Sequence, residues 1–313
     1  MIDHVLRLYP AAYRHAHGAE IAATFHELTA GEPLRVRLRD GADLAAHGLR
    51  LRFGLGPAGT LATVLGPAQP LVLGAAAAAG GLHLLRRYAG LVASPAPVGL
   101  QLRLELSGAW GVLLFSALLV FAGAAAALAG RWRAGVPCTV AGLLGYAVGA
   151  VVSGPALGSP VATPVAAVLA AAVLVACPPD RRAEGMAGGR AGVAGAMVAL
   201  VLVPLAAVAA HVLPWVSTDY GCWPLLVLAG TGVALAWRGA SGGGSGDGTG
   251  GGAGAGSGAG RQLAATALAA PPLLAEACGT AWGDATATAC LAAVLMIGAA
   301  GVPLAARLGR TLR

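Results

Sequence analysis

The chain has 313 residues, 57% of them hydrophobic and only 11% charged, with a mean hydropathy of +0.76. Soluble domains carry about 25% charged residues, so composition argues against a water-soluble globule, which would leave much apolar surface in water. The formal net charge of +7 does not point to nucleic acid here, because basic residues in so apolar a chain serve to orient it in a bilayer. All 20 basic residues are arginine; with the alanine and glycine excess, this reads as the codon usage of a GC-rich genome.

Residues 1–60 are polar for this chain. A signal peptide needs about 7–15 apolar residues behind a positive start, and Arg7, Arg14, His15, His17, Glu20 and Glu27 interrupt every such stretch. The segment is expected to be retained, as a cytoplasmic helical prefix. Asp3 caps a short turn over 5–9 that stops at Pro10. A second helix covers about 11–30, with Ile21, Phe25 and Leu28 on one face at helical spacing. Gly31 and Pro33 end it. A third covers about 34–53, with Leu34, Leu38, Ala45 and Leu49 on one side and Arg35, Arg39, Asp43 and Arg50 on the other. Stripes this narrow in about 60 residues make a marginal core. Two settings stay open: helices lying on the inner leaflet with arginines near anionic headgroups, and a small solvated bundle.

Eight later segments have the roughly 20 apolar residues that a spanning helix needs. They are 64–85, 108–129, 136–154, 160–177, 191–213, 221–237, 263–279 and 286–306. Helices are the expected form, since unpaired backbone groups are costly in lipid. The fold class is therefore an all-α, multi-pass transmembrane bundle of about eight spans. The weakest span is 263–279, which holds Pro271, Pro272 and Glu276. Residues 239–260 are almost entirely glycine, serine and alanine. They are expected to form a flexible cytoplasmic linker with a reach of about 25–30 Å. A phosphate loop is excluded there, because that motif needs Gly-Lys-Ser/Thr and the chain has no lysine. This divides the membrane part into a six-span domain, 61–238, and a C-terminal two-span hairpin with a basic tail, 261–313.

Tryptophan and arginine fix the orientation. Trp110, Trp132, Trp215, Trp223, Trp237 and Trp282 all fall at or just beyond span ends, where an amphipathic ring sits well at the interface. With the N-terminus inside, the inner connections carry Arg131, Arg133, Arg181, Arg182, Arg190, Arg238, Arg261, Arg307, Arg310 and Arg313. The outer ones carry only Arg86, Arg87 and Arg103, all in the first outer loop. The positive-inside rule thus puts both termini on the cytoplasmic side of the membrane.

L-R-L-Y-P-x-x-Y-R, followed by H-G-x-E-I, resembles the short N-terminal prefix of actinobacterial integral membrane proteins, an uncharacterised group; some permease components carry a similar prefix. The residues that match are Leu6, Arg7, Leu8, Tyr9, Pro10, Tyr13, Arg14, Gly18 and Glu20. The likeness runs through Arg39–Leu44 and ends near Leu55. It implies a bacterial membrane protein and brings no catalytic residue.

Little in the chain points to catalysis. Cys138, Cys177, Cys222, Cys278 and Cys290 show no zinc-ligand spacing. Cys222 and Cys278 both fall near the outer face, but buried thiols are the expected state rather than a disulfide. His83 and His211 do not form the in-span pair that holds haem, and no G-x-S-x-G is present. No enzyme, cofactor or metal is expected. Ionisable groups do collect on the outer side, however: His83, Arg86, Arg87, His211, Asp219, Glu276 and Asp284, with Arg103 and Glu105 close by. Buried charge in a membrane is costly and points to function. Glu276, after a proline break, is expected to pair with Arg86 or Arg87; the competing reading is a transport element. Gly145, Gly149 and Ser153 form a ridge of small residues on which another helix can pack. The functional expectation is a structural or regulatory membrane protein whose partners are the lipid bilayer and a protein docked on residues 1–55. The alternative is a small-solute transporter or permease-like component.

Overall fold

Pro10 decides how the chain starts. It cannot donate to a preceding turn, and it sits at the N-cap of the second helix with φ −55° and ψ 142°. The first helix, α1 (Ile2–Leu6), therefore stops before it, and α2 (Ala11–Thr29) begins after it. Gly31 turns the chain with φ 81° into α3 (Leu34–Arg52). The computed structural model describes residues 2–52, 60–153, 162–177, 190–210, 223–241 and 254–281. Among these, every regular element is a helix.

The membrane part opens with α4 (Thr60–Ala93), followed by the short α5 (Val98–Glu105), then α6 (Gly108–Leu128) and α7 (Trp132–Ser153). After these come α8 (Ala162–Ala176), α9 (Arg190–Ala209), α10 (Trp223–Ser241), α11 (Gly254–Ala269) and α12 (Pro271–Ala281). Four of the helices are long and apolar enough to cross a membrane: Val64–Ala93 of α4, all of α6, Trp132–Val152 of α7, and α9. Thr163–Ala176 and Trp223–Leu235 are apolar but shorter. At 15 residues, α8 rises about 22 Å, less than the roughly 30 Å of a hydrocarbon core. Phe115, Val148, Val151, Val165, Val175 and Val203 stay exposed on the outside of the bundle, where lipid is the solvent that suits them.

α4 is the centre. Its most apolar stretch is 83% buried, against 39%, 44% and 28% for α6, α7 and α9. It packs on α6, α8, α9, α11 and α12. Missing side chains make this possible. A Cβ at Gly74 would sit 2.7 Å from the Cα of Ala194, and one at Gly81 would sit 2.6 Å from a methyl of Val201. Both pairs are seven residues apart, so α4 and α9 share one seam. α6 and α7 meet in the same way: a Cβ at Gly142 would lie 2.7 Å from the backbone nitrogen of Val120. In lipid, where apolar surface gains little by leaving the solvent, close backbone approach is what holds helices together.

The segment at 263–279 breaks where the prolines lead one to expect: it forms two helices, α11 and α12, that part at Ala270, because Pro271 and Pro272 lack the backbone donors that continuity needs. One expectation about the C-terminal part is corrected: the glycine-rich stretch at 239–260 is not all linker. α10 runs on to Ser241 and α11 starts at Gly254, alanine and the tertiary contacts of α11 outweighing the poor helix propensity of glycine. α11 packs on α4 and α10, and α12 on α4 and α8. The eighth segment, 286–306, lies outside the described residues.

Candidate functional site: a paired polar cluster on the central helix

Polar side chains gather at the two ends of the bundle. At one end, the Cys177 thiol donates to Gln69 Oε1 at 3.2 Å, and Arg190 Nη2 donates to Gln262 Oε1 at 3.1 Å. The first bond ties α4 to the end of α8, and the second ties the start of α9 to the middle of α11.

The other end holds part of the group expected on the outer side. Arg86 of α4 forms an ion pair with Glu276 of α12 through Nη1. Glu276 follows the proline break by one turn, so the break aims it at the central helix. One turn earlier on α4, His83 meets Tyr146 of α7: the phenol oxygen lies 3.2 Å from Nδ1, and the rings stand edge to face at 5.4 Å. The next residue, Arg87, lies with its guanidinium 3.6 Å over the Trp110 ring, a cation–π contact. Tyr146 and Glu276 line a cavity of about 30 Å³ floored by Ala76, Gly80 and Ala167. That is room for about one water.

Of the expected outer-side residues, the structure brings together His83, Arg86 and Glu276 and sets Arg87 beside them on Trp110. His211, Asp219 and Asp284 lie outside the described residues, as do Cys222, Cys290, Trp215 and Trp282 and the side chains of Ser153, Cys278 and Glu105. Tyr146 was missed. Its signal was its position between Gly145 and Gly149 in the small-residue ridge, where a phenol needs a polar partner. The ridge itself packs on α6: a Cβ at Gly145 would meet Ser116 Oγ at 2.6 Å, and one at Gly149 would meet Leu113 at 2.9 Å. Among the described residues no group of His, Cys, Asp or Glu is placed to hold a metal.

The N-terminal helices form a second feature. Tyr9 is 2% exposed and is the peg of this unit. Its ring stacks on Tyr13 at 5.7 Å, lies near His47, and its hydroxyl donates to the Leu44 carbonyl at 3.1 Å. Only glycine fits beneath it at position 48, since a Cβ there would come within 2.7 Å of the ring. Burial, and then Tyr13, push the Tyr9 phenol above its ordinary pKa. The apolar stripes do not close on each other as their spacing suggests. Phe25 is buried, but Leu28, Leu34 and Leu38 are 69%, 68% and 52% exposed, because α1 lies against both α2 and α3, which touch each other less. Leu49 and Arg39 have side chains outside the described residues. Between α2 and α3 runs a groove of about 480 Å³ with Ile21, Phe25 and Leu28 along it and Glu20, Asp40 and Asp43 at its rim.

No known family, curated protein or solved structure matches the chain.

Proposed function

We propose that this is a multi-pass membrane anchor whose N-terminal helices dock a partner protein on the cytoplasmic face, a structural or regulatory component without catalytic activity of its own. The observation that carries the reading is the groove between α2 and α3. It combines an apolar floor with a rim whose acidic members are Glu20, Asp40 and Asp43, although residues 1–60 are rich in arginine. Such a groove suits an amphipathic segment with a basic flank. The interior of the membrane bundle supports the same reading, since its polar cluster is paired and encloses only about 30 Å³. Eight crossings, with both termini in the cytoplasm of a bacterial inner membrane, would put the groove where a cytosolic partner reaches it.

The test is deletion of residues 1–55 beside the charge reversal Asp40→Arg with Asp43→Arg. Both variants should insert in the membrane and lose the same co-purifying protein. Unchanged co-purification rules docking out. For topology, external labelling of a cysteine placed at 313 rules out the eight-span arrangement. A permease-like role draws on one observation, the break at Ala270 beside Glu276. Solute uptake into proteoliposomes that is lost with Glu276→Gln would favour it over docking.

A further inference from the structure

Trp110 sets a depth. From it, α6 rises about 27 Å to Leu128 at about 1.5 Å per residue, close to the roughly 30 Å of a hydrocarbon core, and Trp132 follows at the far end. Indole rings favour the boundary between hydrocarbon and headgroups, so these two tryptophans mark it on either side. Arg87 lies over the Trp110 ring, and a pocket of about 290 Å³ between α4 and α5 is lined by both Arg87 and Leu104. That brings Leu104 to the level of Trp110. Leu106 is held there too: its carbonyl lies against Gly111, the neighbour of Trp110, where a Cβ would come within 2.6 Å of it. The short helix α5 is inverted for a helix in water, which turns its apolar face to the core. Its Gln101 is 8% exposed and faces the protein, where Nε2 donates to the carbonyls of Ala96 at 2.6 Å and Ser94 at 3.4 Å. Leu100 and Leu104, one turn apart, are 54% and 61% exposed, and Leu106 just beyond the helix is 66% exposed.

We propose that α5 is an interfacial anchor whose partner is the lipid surface: Leu100, Leu104 and Leu106 are immersed in the acyl region just below the headgroups at the Trp110 end of the bundle. A leucine face of this kind is costly to hydrate, and the boundary of the leaflet is the solvent that suits it. Arg103, exposed on the same helix, has a stem long enough to lie along this face while its guanidinium reaches up to the headgroups. The buried amide of Gln101 supplies the other half of the arrangement. By closing on the Ser94 and Ala96 carbonyls it ties α5 back to the end of α4, which leaves the leucines as the outward face. The connection between α4 and α6 is thereby pinned to the membrane surface instead of standing in water. The inference rests on α6 spanning a bilayer and is independent of any docking by the N-terminal helices.

The test uses the full chain in vesicles of phosphatidylethanolamine and phosphatidylglycerol, with a fluorescent coumarin amino acid placed in turn at positions 104, 118 and 28. Leu118 is 48% exposed on α6, about 12 Å deeper than Trp110, and Leu28 is 69% exposed in the N-terminal unit. Quenching by iodide, present on both sides, is compared with quenching by lipids spin-labelled near the headgroup or near the chain end. The shallow label should quench position 104 at least about twofold more than the deep one, as for a helix buried about 5–10 Å, and iodide should quench it several-fold less than position 28. Position 118 should reverse the order of the two lipids. Leu100→Asp with Leu106→Asp should raise iodide quenching at 104 to the level of position 28, and no rise would show that the leucines do not anchor the helix. Iodide quenching of the unaltered chain at 104 as strong as at 28 would place α5 in water, and quenching by neither lipid nor iodide would mean that protein covers the leucines; either overturns the proposal. Iodide access at 118 removes the span on which the proposal rests and overturns it as well.

Discussion

The membrane bundle and the N-terminal helices solve the same packing problem in opposite ways. In the bundle, helices approach because side chains are missing: Gly74, Gly81 and Gly142 admit neighbouring side chains and backbone to within about one bond of clashing. In the N-terminal unit one large ring, Tyr9, is driven between three helices and a single glycine makes room for it. The difference follows from the solvent. Water rewards removal of apolar area at about 25 cal/mol per Å², so an aromatic peg holds a small unit together. Lipid gives no such reward, and contact must come from shape and from polar pairs.

Four substitutions would break or sharpen the comparison, and they descend in expected effect. Tyr9→Ala removes the peg and should cost about 3–5 kcal/mol, the range for truncating a buried aromatic. Hydrogen exchange in α2 and α3 should then rise by about 100-fold or more while α4 and α6 are unchanged; an equal rise in both regions would mean that the two units are not separable. Glu276→Gln leaves Arg86 without its partner. Breaking a buried pair costs about 3–5 kcal/mol, and since the Arg86 side chain is 30% exposed, about 2–3 kcal/mol is expected in detergent unfolding. Arg86→Gln added to it should be far from additive, and simple additivity would show that the pair contributes nothing.

Gly142→Ala tests the seam. Its new methyl would meet the backbone nitrogen of Val120 and carbonyl of Ser116 at 2.7 and 2.8 Å. Backbone cannot step aside as a side chain can, so a loss of about 1–3 kcal/mol is expected. Gly192→Ala, with nothing within 4 Å, is the control and should gain up to about 1 kcal/mol from helix propensity. If the two alanines behave alike, close approach is not what holds α6 to α7. Tyr146→Phe has the smallest effect, about 0.5–1.5 kcal/mol for one hydrogen bond. A change in the His83 ring resonances in NMR should accompany it, and an unaltered His83 signal would show that the contact is not made.

What the sequence determined is what depends on composition and on local order. Hydropathy located α4, α6, α7 and α9, because a span is a property of consecutive residues. Pro10, Gly31 and Pro271 each ended or began a helix where their backbone chemistry requires it. Charge even reached across the chain once: Glu276 was expected opposite Arg86 or Arg87, because a buried carboxylate needs a cation and those were the cations on its side. Three things were decided only by the tertiary structure. The partner is Arg86, with Arg87 laid over Trp110 instead. Tyr146 joins His83 from a helix that follows it by 63 residues. The glycine-rich stretch before Arg261 becomes the start of α11, packed on the central helix. Each of these depends on which helix lies beside α4, and neighbours in a bundle are set by the fit of whole surfaces, which no local pattern of alanine, glycine and leucine encodes.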